Sequence, residues 1–513
     1  MRITNQMMVN STMANIQINK GQLNTLDTQL STQKKINKPS DDPIIAIRAL
    51  RLRSSLDQVT QYLNKNIPDA SSWLSVTEDA LDESYEIVKD LYRYCTQGST
   101  DSYSSAERDT IAESLNKLRE AFYSQGDVDY AGRYVFTGYS TDKPLTYQSD
   151  ADASNEDYTI TQQFTRDDLS SKTVYTNAYS NDDILNLSVK TDANGKIVTP
   201  NIATVHRLQL AYSEVSADSI KLTGSDGQTT NVSIDADGNV SLTDADGNAV
   251  TTTSDGYTVT STTDDNYQPG DDEIAINAST GEVLLGENVY KEIYSSNSFS
   301  ITYDKDNFKK GDLNPTMYFD CNDNYRNISY TKQQEDIEYN VNFSQKLKVN
   351  TEASESFNIY LGRNLDDLIT SVQNTIDVDN QITKVKGMLS EEKYSDPDSQ
   401  QKLNDILEGL NKQKDFAEDQ MTKAFEKGIG QMQGYQQEIS NAKADVGNRE
   451  TRLSLTKSRL TEQKTNFTNL KSENEDIDLE EVVVGYASAQ LVYNASLSAA
   501  SKVVQQTLLD FLS

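Results

Sequence analysis

The side chains best suited to chemistry are few in this sequence. It holds one histidine, His206, and two cysteines, Cys95 and Cys321. A zinc protease motif needs two histidines one helical turn apart, so that chemistry is excluded. A Ser-His-Asp triad could draw on His206, but no Gly-x-Ser-x-Gly elbow accompanies it. His206, beside Arg207, reads instead as a structural or surface residue. The cysteines lie far apart and give neither a zinc spacing nor a disulfide framework. Two free thiols are the expectation, with a Cys95–Cys321 bridge left open. Asp235-Ala-Asp237-Gly238-Asn239 and Asp244-Ala-Asp246-Gly247-Asn248 invite a calcium reading. An EF-hand loop requires glycine sixth and a closing glutamate twelfth. Counting from Gly238 puts Ser233 first and Asp244 twelfth; counting from Gly247 puts Leu242 first and Thr253 twelfth. The second register cannot work and the first closes on aspartate instead of glutamate, so hairpin turns are favoured over calcium sites at both stretches. Gly281 and Gly286 are too widely spaced for a phosphate loop and lack its lysine. The sequence therefore predicts no catalytic residue, no metal site and no cofactor, and a protein that is not an enzyme.

With chemistry set aside, shape becomes the question. The 513 residues carry a formal net charge of -32, only 35% apolar side chains, and a mean hydropathy of -0.67. Such a chain buries little per residue, which predicts an elongated form or burial between subunits. The charge is uneven. Residues 150–338 carry 33 acidic and 12 basic side chains, whereas residues 1–53 carry 8 basic and 3 acidic. The acidic middle excludes nucleic-acid binding, which needs clusters of Lys and Arg. It suits an exposed, soluble surface. No segment approaches the ~18 apolar residues of a membrane span. The start of the chain also lacks a basic stretch followed by an apolar core, so no cleaved signal peptide is expected.

Helical periodicity dominates both ends. Val9, Met13, Ile16, Leu23, Leu26 and Leu30 recur at three- and four-residue steps, which predicts one apolar stripe along a first helix. The run Pro39-Ser40-Asp41-Asp42-Pro43 breaks it. There Asp42 suits the N-cap of a second helix and Pro43 its first position, where a missing N–H costs nothing. That helix carries Leu52, Leu56, Val59 and Leu63, and Pro68 is expected to bend or interrupt it. Trp73, Thr77 and Leu81 resume the stripe, which Leu91 and Cys95 extend to Gly98. A further stripe holds Ile111, Leu115, Leu118 and Phe122.

The middle, residues 146–345, reads as short β-strands. Asp237-Gly238, Asp246-Gly247, Asp255-Gly256 and Asn194-Gly195 look like hairpin turns of type I′, in which both central residues take positive φ. Helix returns near residue 350, and no proline follows Pro397. Phe425, Met432, Ile439, Val446, Leu453, Leu460 and Phe467 recur every seven residues, the pattern of a coiled-coil seam. A last helix from about Asp478 carries Val482, Tyr486, Tyr493, Leu497, Val504, Leu508 and Phe511. The fold predicted is a mainly α trunk, a helical bundle or antiparallel coiled coil built from both chain ends. A β-rich outer domain is inserted in it, so the chain is α+β and multidomain. Its parts are a terminal helix (1–40), a helical trunk segment (41–145) and the acidic insertion (146–345). A coiled-coil trunk segment (346–474) and a last helix (475–513) that pairs with the first complete it.

The two end helices lack what a surface helix needs. Residues 3–19 contain no charged side chain, and residues 479–513 contain only Glu480, Glu481, Lys502 and Asp510. A helix with no charged outer face is expected to meet protein on both sides. The end helices are therefore predicted to pair with each other and then with neighbouring copies.

Particular residues add a resemblance. Leu30 to Pro43 (LSTQKKINKPSDDP), Gln490 to Leu497 (QLVYNASL) and Leu508 to Leu512 resemble the flagellin superfamily of bacterial flagellar axial proteins. Pro43 within Asp41-Asp42-Pro43, Trp73 to Glu78 (WLSVTE), Gly132 to Gly138 (GRYVFTG) and Asp445 to Arg449 (DVGNR) resemble its hook–filament junction branch. The resemblance implies a structural subunit, secreted without a cleaved signal to the extracellular flagellum. It implies a homo-oligomeric ring, with a hook-associated protein on one side and flagellin on the other. A flagellar export chaperone and the export apparatus are implied as earlier partners. The alternatives are a filament flagellin, or a surface adhesin or calcium-dependent binding module in the middle region. The long acidic insertion and Pro68 depart from the family pattern.

Overall fold

The computed structural model describes residues 5–100, 103–224, 227–296 and 299–509. Helix α1 spans Asn5–Thr32, α2 Pro43–Gln61, α3 Ile67–Gly98 and α4 Ser105–Ser124. Short helices α5 (Asp150–Ala153), α6 (Asn181–Leu185), α7 (Glu287–Ser295) and α8 (Ala353–Ser356) follow. Three long helices close the chain: α9 (Tyr360–Leu389), α10 (Pro397–Glu475) and α11 (Leu479–Leu509). The chain divides into two compact units. Unit 1 comprises residues 1–71, 339–347 and 451–513, and unit 2 comprises residues 72–338 and 348–450.

Helix α2 starts as its residue types dictate. Asp42 has extended backbone (φ -150°), and its carboxylate accepts from the N–H groups of Ile44 (2.9 Å) and Ile45 (3.2 Å). Pro43 takes the first helical position. The neighbouring Asp41 accepts from the N–H groups of Asn37 and Lys38 and so closes the turn that precedes the cap. Replacing Asp42 with alanine leaves two N–H donors without their acceptor. It is expected to cost unit 1 about 1 kcal/mol, read as a lower midpoint in urea denaturation.

Pro68 does not break the helix. The residue lacks an N–H, and the chain meets this with one π-helical turn, Tyr62–Asn66, in which the Ile67 N–H reaches back five residues to the Tyr62 carbonyl. One inserted residue in the turn absorbs the missing donor. Helical backbone therefore runs unbroken from α2 into α3: of the two expected outcomes, a bend or an interruption, the interruption does not occur, and a π turn stands there instead.

Unit 2 combines helices with two large sheets and a two-stranded one, Asp129–Tyr130 with Arg133–Tyr134. Trp73, Leu74, Leu81, Val88, Leu91 and Cys95 form the fully buried face of α3. The Trp73 ring meets Tyr130 edge-on, and the Arg133 guanidinium lies 4.9 Å from its centre. Helices α4 and α9 pack together, and the Tyr123 hydroxyl ties them by donating to the Asn358 carbonyl (2.9 Å) and accepting from the Gly362 N–H (2.9 Å). Gly98 abuts the Phe425 ring of α10 so closely that a β-carbon there would sit 2.5 Å from it.

The larger sheet is antiparallel. Its strand order is Ile328–Tyr330, Asp320–Asp323, Tyr158–Phe164, Phe299–Lys305, Ile220–Thr223, Thr229–Ile234, Val240–Thr243 and Ala249–Val250. The second runs Thr258–Ser261, Glu273–Asn277, Glu282–Leu285, Asn201–Gln209, Ser170–Thr176, with its first pair parallel. Between the last two strands in space, residues 177–200 leave the sheet. There Tyr179 and Ile184 pack on Val378, Ile382 and Val385 of α9 and on Leu403, Ile406 and Leu410 of α10.

The turns depart from the type expected. Gly238 and Gly247 have φ of 84° and 83°, but Asp237 and Asp246 do not take positive φ. Asp235 and Asp244 accept backbone N–H groups two and four residues on (2.8–3.0 Å), which fixes a turn whose single left-handed residue is the glycine. That is a type I turn with a following left-handed glycine, favoured here because the leading aspartate satisfies the turn's own donors. Asp255-Gly256 makes the same kind of turn, but it is not a hairpin: it carries the chain from one sheet to the other. A β-carbon at Gly247 would touch nothing. Gly247→Ala should therefore lose only the backbone term, about 1–2 kcal/mol, measured as a drop in the thermal midpoint of unit 2.

Candidate functional site: the paired chain ends

Helices α1 and α11 lie antiparallel along each other. Asn19 donates to Ser496 Oγ (2.7 Å), and Leu26 lies beside Gly485, where no side chain stands in the way. The two connections at the base of the pair are joined as well. Lys34 and Asp476 form a β-bridge and an ion pair, and the Lys35 N–H donates to the Glu475 carbonyl (2.7 Å). Arg53 of α2 grips Glu475 with two hydrogen bonds, 2.8 and 2.7 Å, while the Lys34 ammonium stands 3.8 Å from the same carboxylate. The Arg53 bond and charge hold the Glu475 carboxyl below its usual range, against the opposing effect of burial. Sequence reading passed over this cluster. Its only signal was a glutamate at the close of a long helix, in a region already rich in Lys and Arg.

The stripe residues split between the two sides of the pair. Val9, Ile16, Leu23, Leu26 and Leu30 on α1, and Val482, Tyr486 and Tyr493 on α11, are half-buried. Met13 and Leu497 are exposed, at 56% and 42%. Val504, Leu508 and Phe511 lie outside the described residues, the first two for their side chains only. Met7, Met8, Ile18, Leu479, Val483, Val484, Leu491 and Val492 are exposed too. Among the described residues, sixteen of the twenty-two exposed large apolar side chains belong to unit 1, the smaller of the two. A single copy leaves these side chains in water.

The heptad residues Phe425, Met432, Ile439 and Val446 are buried in unit 2, and Leu453 and Leu460 in unit 1; Phe467 is half-buried. Pro39 and Ser40 sit exposed in the turn that Asp41 closes. His206 stacks on Tyr290 (3.5 Å between ring centres) and approaches Glu287 at 3.2 Å. Cys95 and Cys321 are free and buried, and burial pushes both thiols up to about 12. Among the described residues no cluster of three His, Cys, Asp or Glu could hold a metal ion, and no helix is long and apolar enough to cross a membrane.

A second charged cluster, in unit 2, joins the smaller sheet to α9. The Arg207 guanidinium bonds Glu282 at 2.6 Å and Asp367 at 2.6 and 3.0 Å, and Lys172 bonds Glu282 at 2.7 Å. Arg363, one turn before Asp367, donates to the carbonyls of Leu210 and Thr280. Burial, the largest single influence, opposes ionisation of Glu282 and Asp367, but Arg207, joined by Lys172 at the first and by Lys427 and Arg363 at the second, holds both carboxyls below their usual range.

This geometry agrees with comparison to known proteins. Residues 3–141 match the bacterial flagellin N-terminal helical region, and residues 429–512 match the bacterial flagellin C-terminal helical region. The chain is thus flagellin-like at both ends, with terminal helical regions around a β-rich middle. Within that class it resembles flagellar hook-associated protein 3. It is 28% identical over 165 residues to the Salmonella typhimurium (strain LT2) protein, covering 32% of this chain and 51% of that one. It is 29% identical over 144 residues to the Escherichia coli (strain K12) protein, covering 28% and 45%. A flagellin of Clostridium tyrobutyricum is 24% identical over 120 residues, 23% of this chain and 32% of that one. The match thus spans about half the length of the two hook-associated relatives. The structure of a putative flagellar hook-associated protein from Vibrio parahaemolyticus aligns over 85% of this chain and 100% of its own, at 12% identity; its TM-score of 0.35 is too low to add to the family matches.

Proposed function

We propose that this chain is a structural subunit of the bacterial flagellum, standing at the junction between hook and filament. The observation that carries the reading is the exposed apolar surface of unit 1, on the very helices that match the flagellin terminal regions. Burying that surface between copies supplies the driving force, since transfer of apolar area from water dominates such association. Copies form a short ring through α1 and α11, with a hook-associated protein below and flagellin above. The chain reaches its site by flagellar export, accompanied by a chaperone, and acts there without catalysis. The acidic insertion stays outward, where like charge limits lateral bundling.

Immunogold microscopy of intact flagella, with antibody against residues 146–345, tests the reading. The expected result is one band of label between hook and filament. Label along the whole filament selects the second reading, a filament flagellin, which the match to the Clostridium protein favours. Label absent from every flagellum overturns both.

A further inference from the structure

A further apolar face lies on α2. Ile44, Ile47 and Leu50 are 66%, 54% and 63% exposed, while Ala46, Ala49 and Val59 of the same helix are buried. The three recur at steps of three, on the side of α2 turned from its own core. Arg48 and Arg51 stand among them, exposed, and neither makes an ion pair among the described residues. Arg53, two residues on, is by contrast committed to Glu475. So the face combines uncovered apolar area with two uncommitted cations.

The first turns of α11 present the complement. Leu479, Val483, Val484 and Leu491 are 53%, 48%, 67% and 73% exposed. Glu480 is exposed beside them and makes no ion pair among the described residues. Here the pattern is apolar area with an uncommitted anion at its head. A chain of net charge -32 has no general attraction for an anionic lipid surface, and two arginines do not make a polybasic patch. Pairing α2 with α2 would set Arg48 and Arg51 of two copies against each other, which like charge opposes.

We infer that the outer face of α2 in one copy receives the first turns of α11 in the next copy. Ile44, Ile47 and Leu50 then meet Val483, Val484 and Leu491, and Arg48 and Arg51 flank Glu480. The contact uses different patches on its two sides, so it propagates from copy to copy, closing as a ring or continuing as an open helix. It rests on the self-assembly proposed above and adds which surfaces meet.

The test uses two full-length variants, Ile47→Cys and Val484→Cys, with the native thiols buried. Mixed under mild oxidation, they are expected to give at least about tenfold more disulfide-linked dimer than either alone. Arg51→Glu in the first variant should cut that yield by about tenfold, and Glu480→Arg in the second should restore it. Dimer from Ile47→Cys alone overturns the inference, because α2 would then meet α2. Absence of cross-link in the mixture, while the unaltered chain assembles by light scattering, overturns the inference and leaves the self-assembly reading standing. An unaltered chain that never assembles overturns both.

Discussion

A chain ending at Asp478 stays monomeric under conditions in which the full chain assembles. Removing Leu479 onward takes away α11, uncovers the half-buried stripe of α1, and deletes six of the sixteen exposed apolar side chains of unit 1. Nothing in unit 2 belongs to the removed segment. The thermal midpoint of unit 2 should therefore move by less than about 2 °C, under 1 kcal/mol for a domain of its size. Sedimentation velocity and scanning calorimetry on the same sample read both quantities. Assembly of the shortened chain at the full-length rate would show that the paired ends are not the driving surface.

Arg207→Met should be the most damaging single change in unit 2. It leaves Glu282 and Asp367 facing each other across a space from which their shared cation has gone, with Lys172 and the Thr280 hydroxyl still bonded to Glu282. Breaking a buried pair by removing one partner costs about 3–5 kcal/mol. The loss depends on pH in a defined direction. Both carboxyls have folded-state pKa values below those of the unfolded chain. Their contribution is therefore complete above the unfolded values of about 4 and disappears as pH falls through the lower folded ones. Urea midpoints of the parent and the variant should differ most at neutral pH and converge in acid. A difference that grew on acidification would contradict this account of the cluster.

Sequence and structure agree where a residue's own chemistry decides the outcome. Asp42 caps because a short carboxylate ahead of a proline at the first helical position has only one good use. The heptad from Phe425 to Leu460 is inward because seven-residue spacing keeps one side of a helix against its neighbours. What escaped was set by distant partners. The Arg207 cluster depends on a strand meeting α9, 160 residues away, and attention fell on His206 instead. The π turn before Pro68 is one of several ways to absorb a missing donor. Asp255-Gly256 has the letters of a hairpin, yet the following strand pairs in parallel with Glu273–Asn277, a choice made by the sheet. The face formed by Ile44, Ile47 and Leu50 passed unnoticed because a stripe on the other side of α2 already satisfied the helical pattern.

The pairing of α1 with α11 also sets an order of events. The hydrogen bond from Asn19 to Ser496 spans 477 residues. Closing so long a loop adds little to the equilibrium cost, which grows only with the logarithm of its length, but such remote contacts form slowly. Unit 2 has all its residues between Ser72 and Glu450 and contains neither end. Unit 1 must wait: its first helix has nowhere to lie until its last one arrives. Under the proposed assembly, a chain still lacking its last helix would be mute to its neighbours, and the surface that announces a finished subunit would come into being only with that helix.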